Sequence, residues 1–156
     1  DYEEYGVAAE SKECNICGIT KSIGNFSANR GACNKCRTSR NRDRQNSTVE
    51  LFLGARLTSI KQRHKQKNYD GTLVSLEYLM DLYEQQRGIC AISNIPMHTS
   101  TDYSDLCASP DRIDTDKGYI EGNIRFVCAR INLMRNDMDD HDFVWWCKAV
   151  VNNHGN

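Results

Sequence analysis

The residues best suited to chemistry lie close together, in the run Ser109-Pro110-Asp111-Arg112-Ile113-Asp114-Thr115-Asp116-Lys117-Gly118-Tyr119 and its continuation through Asn123 to Asn132. This pattern reads as strand, turn, strand, helix. Asp111 falls at the end of the first strand and Asn132 on the helix that follows the second. A carboxylate and an amide oxygen brought together in this way can hold one hard cation, magnesium or manganese, and leave positions for water and phosphate oxygens. Taken singly, the same residues have plainer uses: Asp111 and Asp114 as turn or capping residues, Asn123 as a turn residue, Asn132 on a helix surface. Their joint spacing is what predicts a shared cation site.

A second constellation is sulfur-based. Cys14-Asn15-Ile16-Cys17 and Cys33-Asn34-Lys35-Cys36 form two CxxC pairs with fifteen residues between them. Such pairs bring four thiolates to tetrahedral positions around one zinc ion, at roughly 2.3 Å from it. Four cysteines close the shell to water, so this zinc is expected to be structural, holding a segment too small for its own core. Four further cysteines, Cys90, Cys107, Cys128 and Cys147, are scattered. They read most simply as small buried hydrophobes.

Net charge is −1, but its distribution is uneven. Residues 21–69 hold twelve Lys or Arg against only Asp43 and Glu50, so the rest of the chain is acidic. A basic block of this density can displace counterions from nucleic-acid phosphates. Arg37, Arg40, Arg42 and Arg44 behind the zinc knuckles, and Arg56, Lys61, Arg63 and Lys65 on the next element, are the expected nucleic-acid contacts. The duller use of such a block is a solvated helix face.

No apolar run is long enough to cross a membrane, and the first residues, Asp1-Tyr2-Glu3-Glu4, do not read as a signal peptide. Paired CxxC motifs without a secretory signal predict a reducing, cytoplasmic setting.

The elements that must position these groups follow from periodicity. Residues 1–12 read as a polar leader and residues 13–38 as turns and ribbons around the metal. From Thr48 to Lys67, apolar Val49, Leu51, Phe52, Ala55, Leu57 and Ile60 recur at helical spacing, predicting a long helix that is basic toward its end. A second helix is expected from an N-cap at Ser75, with Leu76, Leu79, Met80, Leu82 and Tyr83 as its apolar stripe and Gly88 as its stop. Residues 97–108 read as a loop. Residues 109–114 and 123–127 read as two strands around turn chemistry at 115–119. Residues 128–135 read as a helix with Ile131 and Met134 on one face. A last helix is capped by Asp139 or Asp140, with Phe143, Val144, Trp146, Cys147 and Val150 suited to a core. The fold class is thus α+β, with a zinc-binding module over 1–47, a basic helix and linker over 48–74, and a catalytic core over 75–156.

The motif D-R-x-D, G-Y, G-N-x-R-x-x-C, I-N, running from Asp111 to Asn132, resembles the HNH, or ββα-metal, nuclease family. With the CxxC pairs ahead of it, the chain is similar to small zinc-containing restriction endonucleases and to phage endonuclease VII-type nucleases. The resemblance implies a DNA endonuclease with Asp111 and Asn132 as ligands of the catalytic cation and Asn123 as the residue bracing the loop. Arg112 stands where most members carry the histidine that activates water. An arginine stays protonated, so it would clamp the scissile phosphate instead. His98 or Tyr103, and less readily Asp114, would then activate water. Many members carry a second set of CxxC pairs in this core. Here the matching places read Cys90-Ala91-Ile92-Ser93 and Cys128-Ala129-Arg130-Ile131, so two of four thiols are missing. The expected partner is DNA, cut on both strands by a homodimer, because one site cuts one strand. Asp111→Ala is expected to abolish cleavage and leave folding nearly intact.

Overall fold

The computed structural model describes residues 10–28 and 30–154. Most of the expected polar leader therefore lies outside the described residues. The chain divides into two compact units, Asp1–Arg44 and Gln45–Asn156.

The first unit opens with an antiparallel hairpin of β1 (Ser11–Glu13) and β2 (Thr20–Ser22), and ends in helix α1 (Asn34–Gln45). Gly18 sits at φ +66°, a left-handed turn position that glycine adopts without the steric cost a side chain brings. The ribbon expectation holds for the first CxxC pair and fails for the second. Cys36 already lies on α1, because a helix that buries none of its residues has no apolar stripe to announce it. Among the described residues the interior of this unit is Cys14, Cys33 and Phe26, with Ala32 and Cys36 packed against them. That is too little apolar surface to stabilise some forty residues unaided.

The second unit is α+β. Helix α2 (Val49–Lys67) starts at Thr48, whose hydroxyl accepts the Leu51 N–H, and ends on left-handed Asn68. Its buried residues Phe52, Leu53, Leu57 and Ile60 form one stripe. Helix α3 (Leu76–Gln85) is capped by Ser75, whose hydroxyl accepts the Tyr78 N–H. Of its expected stripe, Leu79 is buried, Leu76, Leu82 and Tyr83 pack against the core, and Met80 lies exposed. Strands β3 (Ala108–Arg112) and β4 (Ile124–Cys128) pair antiparallel, with Asp111 opposite Arg125. Helix α4 (Ala129–Arg135) follows β4 directly. Residues 97–107 form a loop, which a backbone hydrogen bond from His98 to Leu106 and one from Ala108, the first residue of β3, to His98 draw together at its ends.

Helix α5 (Asp140–His154) begins where expected, with the Asp139 carboxylate accepting the Asp142 N–H. Its apolar residues do not form a core. Phe143 alone is buried, whereas Trp146 is 57% and Val150 58% exposed, and Val144 is exposed with them. Met134 of α4 is likewise exposed. An apolar stripe reports which face of a helix is apolar; it does not report that anything covers it. No described helix is long and apolar enough to cross a membrane.

Candidate active site

In the first unit the side chains of Cys14, Cys17, Cys33 and Cys36 converge, with their sulfurs all within 4.8 Å of one another. The corners of a tetrahedral zinc–thiolate shell are about 3.8 Å apart, given Zn–S bonds near 2.3 Å. The backbone supports thiolates here: Cys14 Sγ accepts the N–H of Cys33 at 3.2 Å and of Ile16 at 3.5 Å. Lys21 Nζ donates to Cys33 Sγ at 3.2 Å. The N–H of Cys33 leads the interactions that pull the Cys14 thiol down to about 6. These four residues fit a zinc ion, and the site is closed by protein sulfur. Beside it, Arg30, Arg37, Arg40 and Arg44 line an open cleft of about 860 Å³. The stretch 37–44 thus places Arg37, Arg40 and Arg44 on one side of α1, at helical spacing.

In the second unit, β3, α4 and α2 border a cavity of about 380 Å³. Asp111, Arg112, Asn132 and Arg63 line it, together with Ser109, Thr115, Tyr119 and Asn136. The strand-turn-strand-helix run therefore brings Asp111, Arg112 and Asn132 to one place. Asn132 is oriented by its amide, whose Nδ2 donates to Ser109 Oγ at 2.8 Å and to the Pro110 carbonyl at 3.4 Å. Arg112 lies over the rings of Tyr69 (4.8 Å) and Tyr119 (5.5 Å). Its Nη1 donates to Tyr69 Oη and to the carbonyls of Thr115 (2.6 Å) and Lys117 (3.2 Å). Arg112 is thus an anchor for the turn as well as a cation in the cavity.

Asn123 is buried and ties this turn shut. Its Oδ1 accepts the Asp114 N–H at 2.9 Å, and its Nδ2 donates to the carbonyls of Asp114 (3.1 Å) and Gly118 (2.9 Å). Asp114 is engaged inside the turn, paired with Lys117 at 2.8 Å, and does not line the cavity. Lys117 holds the Asp114 carboxyl below its ordinary range.

Asp111 is 4% exposed, and each of its oxygens accepts from a guanidinium: Oδ1 from Arg135 Nη1 at 3.1 Å, Oδ2 from Arg125 Nε at 3.0 Å. Both arginines also reach Asp140. Burial pushes the Asp111 carboxyl up from its ordinary value, against the pull of Arg125 and Arg135. An ionised carboxylate offers about four lone-pair sites, so two guanidinium contacts leave room for a cation on the same group. Asp111 and Asn132 together fit a hard divalent ion by donor type. The expectation that Asp111→Ala leaves folding nearly intact does not survive this geometry. Removing the carboxylate leaves wholly buried Arg135 and neighbouring Arg125 with Asp140 as their one shared counter-charge.

The expected water-activating residues are placed elsewhere. His98 and Tyr103 stack on each other, centroids 4.0 Å apart and planes 15° apart, and neither lines the cavity. The physical reason is local: the loop closes on itself, so the two rings find each other. Arg56 is also turned inward, with Nη2 2.9 Å from Cys107 Sγ and its guanidinium 4.7 Å from the Phe52 ring. Lys61, Arg63 and Lys65 stay on the exposed face of α2.

Sequence reasoning missed Arg125, Arg135, Asp140, Tyr69 and Tyr119. One signal was available: Arg125 interrupts the apolar strand Ile124-Arg125-Phe126-Val127, and a charge there demands a partner across the hairpin.

No protein-family model and no curated protein sequence matches the chain. A solved structure of the rare-cutting HNH restriction endonuclease PacI aligns with 91% of this chain and 94% of that one, at 15% identity and a TM-score of 0.42. Likeness at that level decides neither the reaction nor the residues.

Proposed function

We propose that the chain is a divalent-metal-dependent DNA endonuclease, acting as a homodimer that cuts both strands. The observation that supports this is the cavity in which Asp111, Asn132, Arg112 and Arg63 face a common space. Two oxygen donors, one fixed cation (Arg112) and a second cation on the exposed face of α2 (Arg63) suit a phosphodiester and nothing apolar. Asp111 and Asn132 are the residues that would hold the ion. Magnesium or manganese, when bound, supplies charge neutralisation at the scissile phosphate. Arg112, locked by its contacts to Tyr69 and the 115–117 turn, stabilises the negative charge that develops on the phosphate oxygens. Arg63 binds the backbone of the substrate. Tyr119 lines the same cavity under Arg112 and takes the place of His98 and Tyr103 as the base: having released its own proton to solvent, its phenolate would accept the proton from the attacking water. The basic cleft of the first unit and the exposed lysines of α2 contribute phosphate contacts, so affinity falls steeply with salt.

One observation favours a second reading, a nucleic-acid-binding module without catalysis: both Asp111 oxygens already accept from guanidinium groups. The two readings separate on supercoiled plasmid incubated with magnesium, manganese or EDTA. The nuclease produces nicked and then linear DNA only with metal. Salt-sensitive binding with no cleavage under either metal would select the second reading. Asn132→Ala is the cleaner active-site variant, since its side chain is half-buried and outside the ion-pair network. It should lose at least about 100-fold in cleavage, the scale for a group acting on the transition state, and keep DNA binding. Tyr119→Phe should lose a comparable factor, as loss of a general base costs about 10²–10⁴-fold.

A further inference from the structure

The segments around Cys90 and Cys128 repeat the backbone of the four-cysteine site nearly bond for bond. The Cys14 N–H donates to the Ile19 carbonyl at 3.1 Å, and the Cys90 N–H to the Ile95 carbonyl at 2.9 Å. The Gly18 N–H reaches the Cys14 carbonyl at 2.8 Å, and the Asn94 N–H the Cys90 carbonyl at 3.0 Å. Gly18 and Asn94, each four residues after its cysteine, share the left-handed conformation at φ +66° and +57°. Asn15 N–H meets the Gly31 carbonyl, and Ala91 N–H the Phe126 carbonyl, both at 3.0 Å, and both acceptors lie two residues before the next cysteine. Cys33 N–H donates to Cys14 Sγ at 3.2 Å, and Cys128 N–H donates to Cys90 Sγ at 3.3 Å. A helix begins immediately after Cys33 and immediately after Cys128.

This correspondence puts Ser93 where Cys17 stands and Ile131 where Cys36 stands. Three donors therefore remain on a metal-binding frame: Cys90, Cys128 and the Ser93 hydroxyl. Cys90 and Cys128 are buried free thiols. Ser93 Oγ is buried and has no hydrogen-bond partner. Neither Cys107 nor Cys147 joins the pair in a set of mutually close ligands among the described residues, and Cys107 Sγ already accepts from Arg56.

We propose that Cys90 and Cys128, with Ser93 facing them, form a second cation site that takes a soft monovalent d10 ion, Cu(I) or Ag(I), in place of zinc. Zinc sites on proteins use Cys, His or carboxylate ligands, four when structural and three when open, and only Cys90 and Cys128 are of that kind here, since Ser93 offers a neutral hydroxyl and Ile131 no donor. Thiolates select soft ions, and two of them satisfy an ion that prefers low coordination. Binding one such ion releases both thiol protons and leaves a complex of net charge −1. The backbone N–H groups of Ser93 (3.4 Å) and Cys128 aimed at Cys90 Sγ favour that charge.

The test uses the full chain carrying one zinc, titrated with silver nitrate in chloride-free buffer and followed by native mass spectrometry. The first equivalent of silver should bind with the zinc retained. Cys128→Ser should weaken that uptake by at least 100-fold, and Cys147→Ser should leave it unchanged. Displacement of zinc by the first silver ion in the wild type would overturn the proposal, as would equal uptake by Cys128→Ser. The wild-type stoichiometry decides the matter even if Cys128→Ser fails to fold. A Ser93→Cys/Ile131→Cys variant tests the frame itself: it should hold a second zinc through dialysis, and a chain that keeps only one would refute the correspondence. None of these readouts depends on nuclease activity.

Discussion

Arg135 is wholly buried and spends its guanidinium three ways, on Asp111 (3.1 Å), on Asp140 (2.9 Å) and on the Ile113 carbonyl (3.0 Å). With Arg125 it forms a closed set of two cations and two carboxylates. Desolvation makes such a set a poor source of net stability, but removal of one member leaves an uncompensated buried charge, at a cost of about 3–5 kcal/mol. Arg135→Met should therefore cost about 3 kcal/mol in urea unfolding, since Arg125 still faces Asp111. The two carboxylates respond to acid with opposite signs. Arg125 holds Asp140 below the ordinary aspartate value of 3.8. Its contribution is thus present above that value and lost as pH falls through the lowered one. Burial raises Asp111, so its effect favours the fold in acid and fades as pH climbs through the raised value. Asp140→Asn should accordingly flatten the loss of thermal stability below pH 4. An unchanged acid limb in that variant would remove Asp140 from the account.

At the scale of elements, the turn between β3 and β4 is held against the end of α2, and Gly118 makes that approach possible. A Cβ there would lie 2.7 Å from Tyr69 Cβ and 2.7 Å from His64 Cε1. Gly118→Ala should displace the turn that Arg112 and Asn123 secure, destabilising the fold by about 1–3 kcal/mol, the usual cost of overpacking. Because the same turn anchors Arg112, the variant should lose cleavage at temperatures where it is still folded. Helices α2 and α3 and the β3–β4 hairpin were legible in the sequence because each announces itself locally, by a capping hydroxyl, an apolar stripe or turn residues. The convergence of Asp111, Arg112 and Asn132 was legible for the same reason, since only one hairpin and one helix separate them. Helix α1 was not, because it buries nothing. Nor was the exposure of α5, because a stripe does not say what covers it. The Arg125–Arg135–Asp140 network depends on strand register and helix rotation together, and His98 and Tyr103 were placed by a loop closure that no period encodes.

At the scale of the molecule, the two units differ in what holds them. Residues 45–154 share a core that runs from Phe52 on α2 through Leu79 on α3 to Phe126 on β4, a buried apolar cluster of the size that can stabilise a domain without help from a metal. Residues up to 44 have only Cys14, Cys33 and Phe26 buried among those described. For such a segment the free energy of zinc binding is, in effect, the free energy of folding. The converging thiols would otherwise be four mutually close ionisable groups, and the Cys36 thiol is pushed up to about 12, led by its hydrogen bond with Cys33. A high-affinity chelator should therefore open the first unit and leave the second folded. Trypsin reads this directly: without zinc it should cut at Arg37 and Arg40 within minutes and leave a resistant fragment beginning near residue 45, and added zinc should restore protection. Resistance at Arg37 after the metal has been stripped would mean that something other than the thiolate shell holds this unit. The basic cleft beside Arg30, Arg37 and Arg40 should be lost with the zinc, so the chelated protein should bind DNA with a shallower salt dependence. The cavity lined by Asp111, Arg112 and Asn132, built wholly from residues beyond 45, should persist.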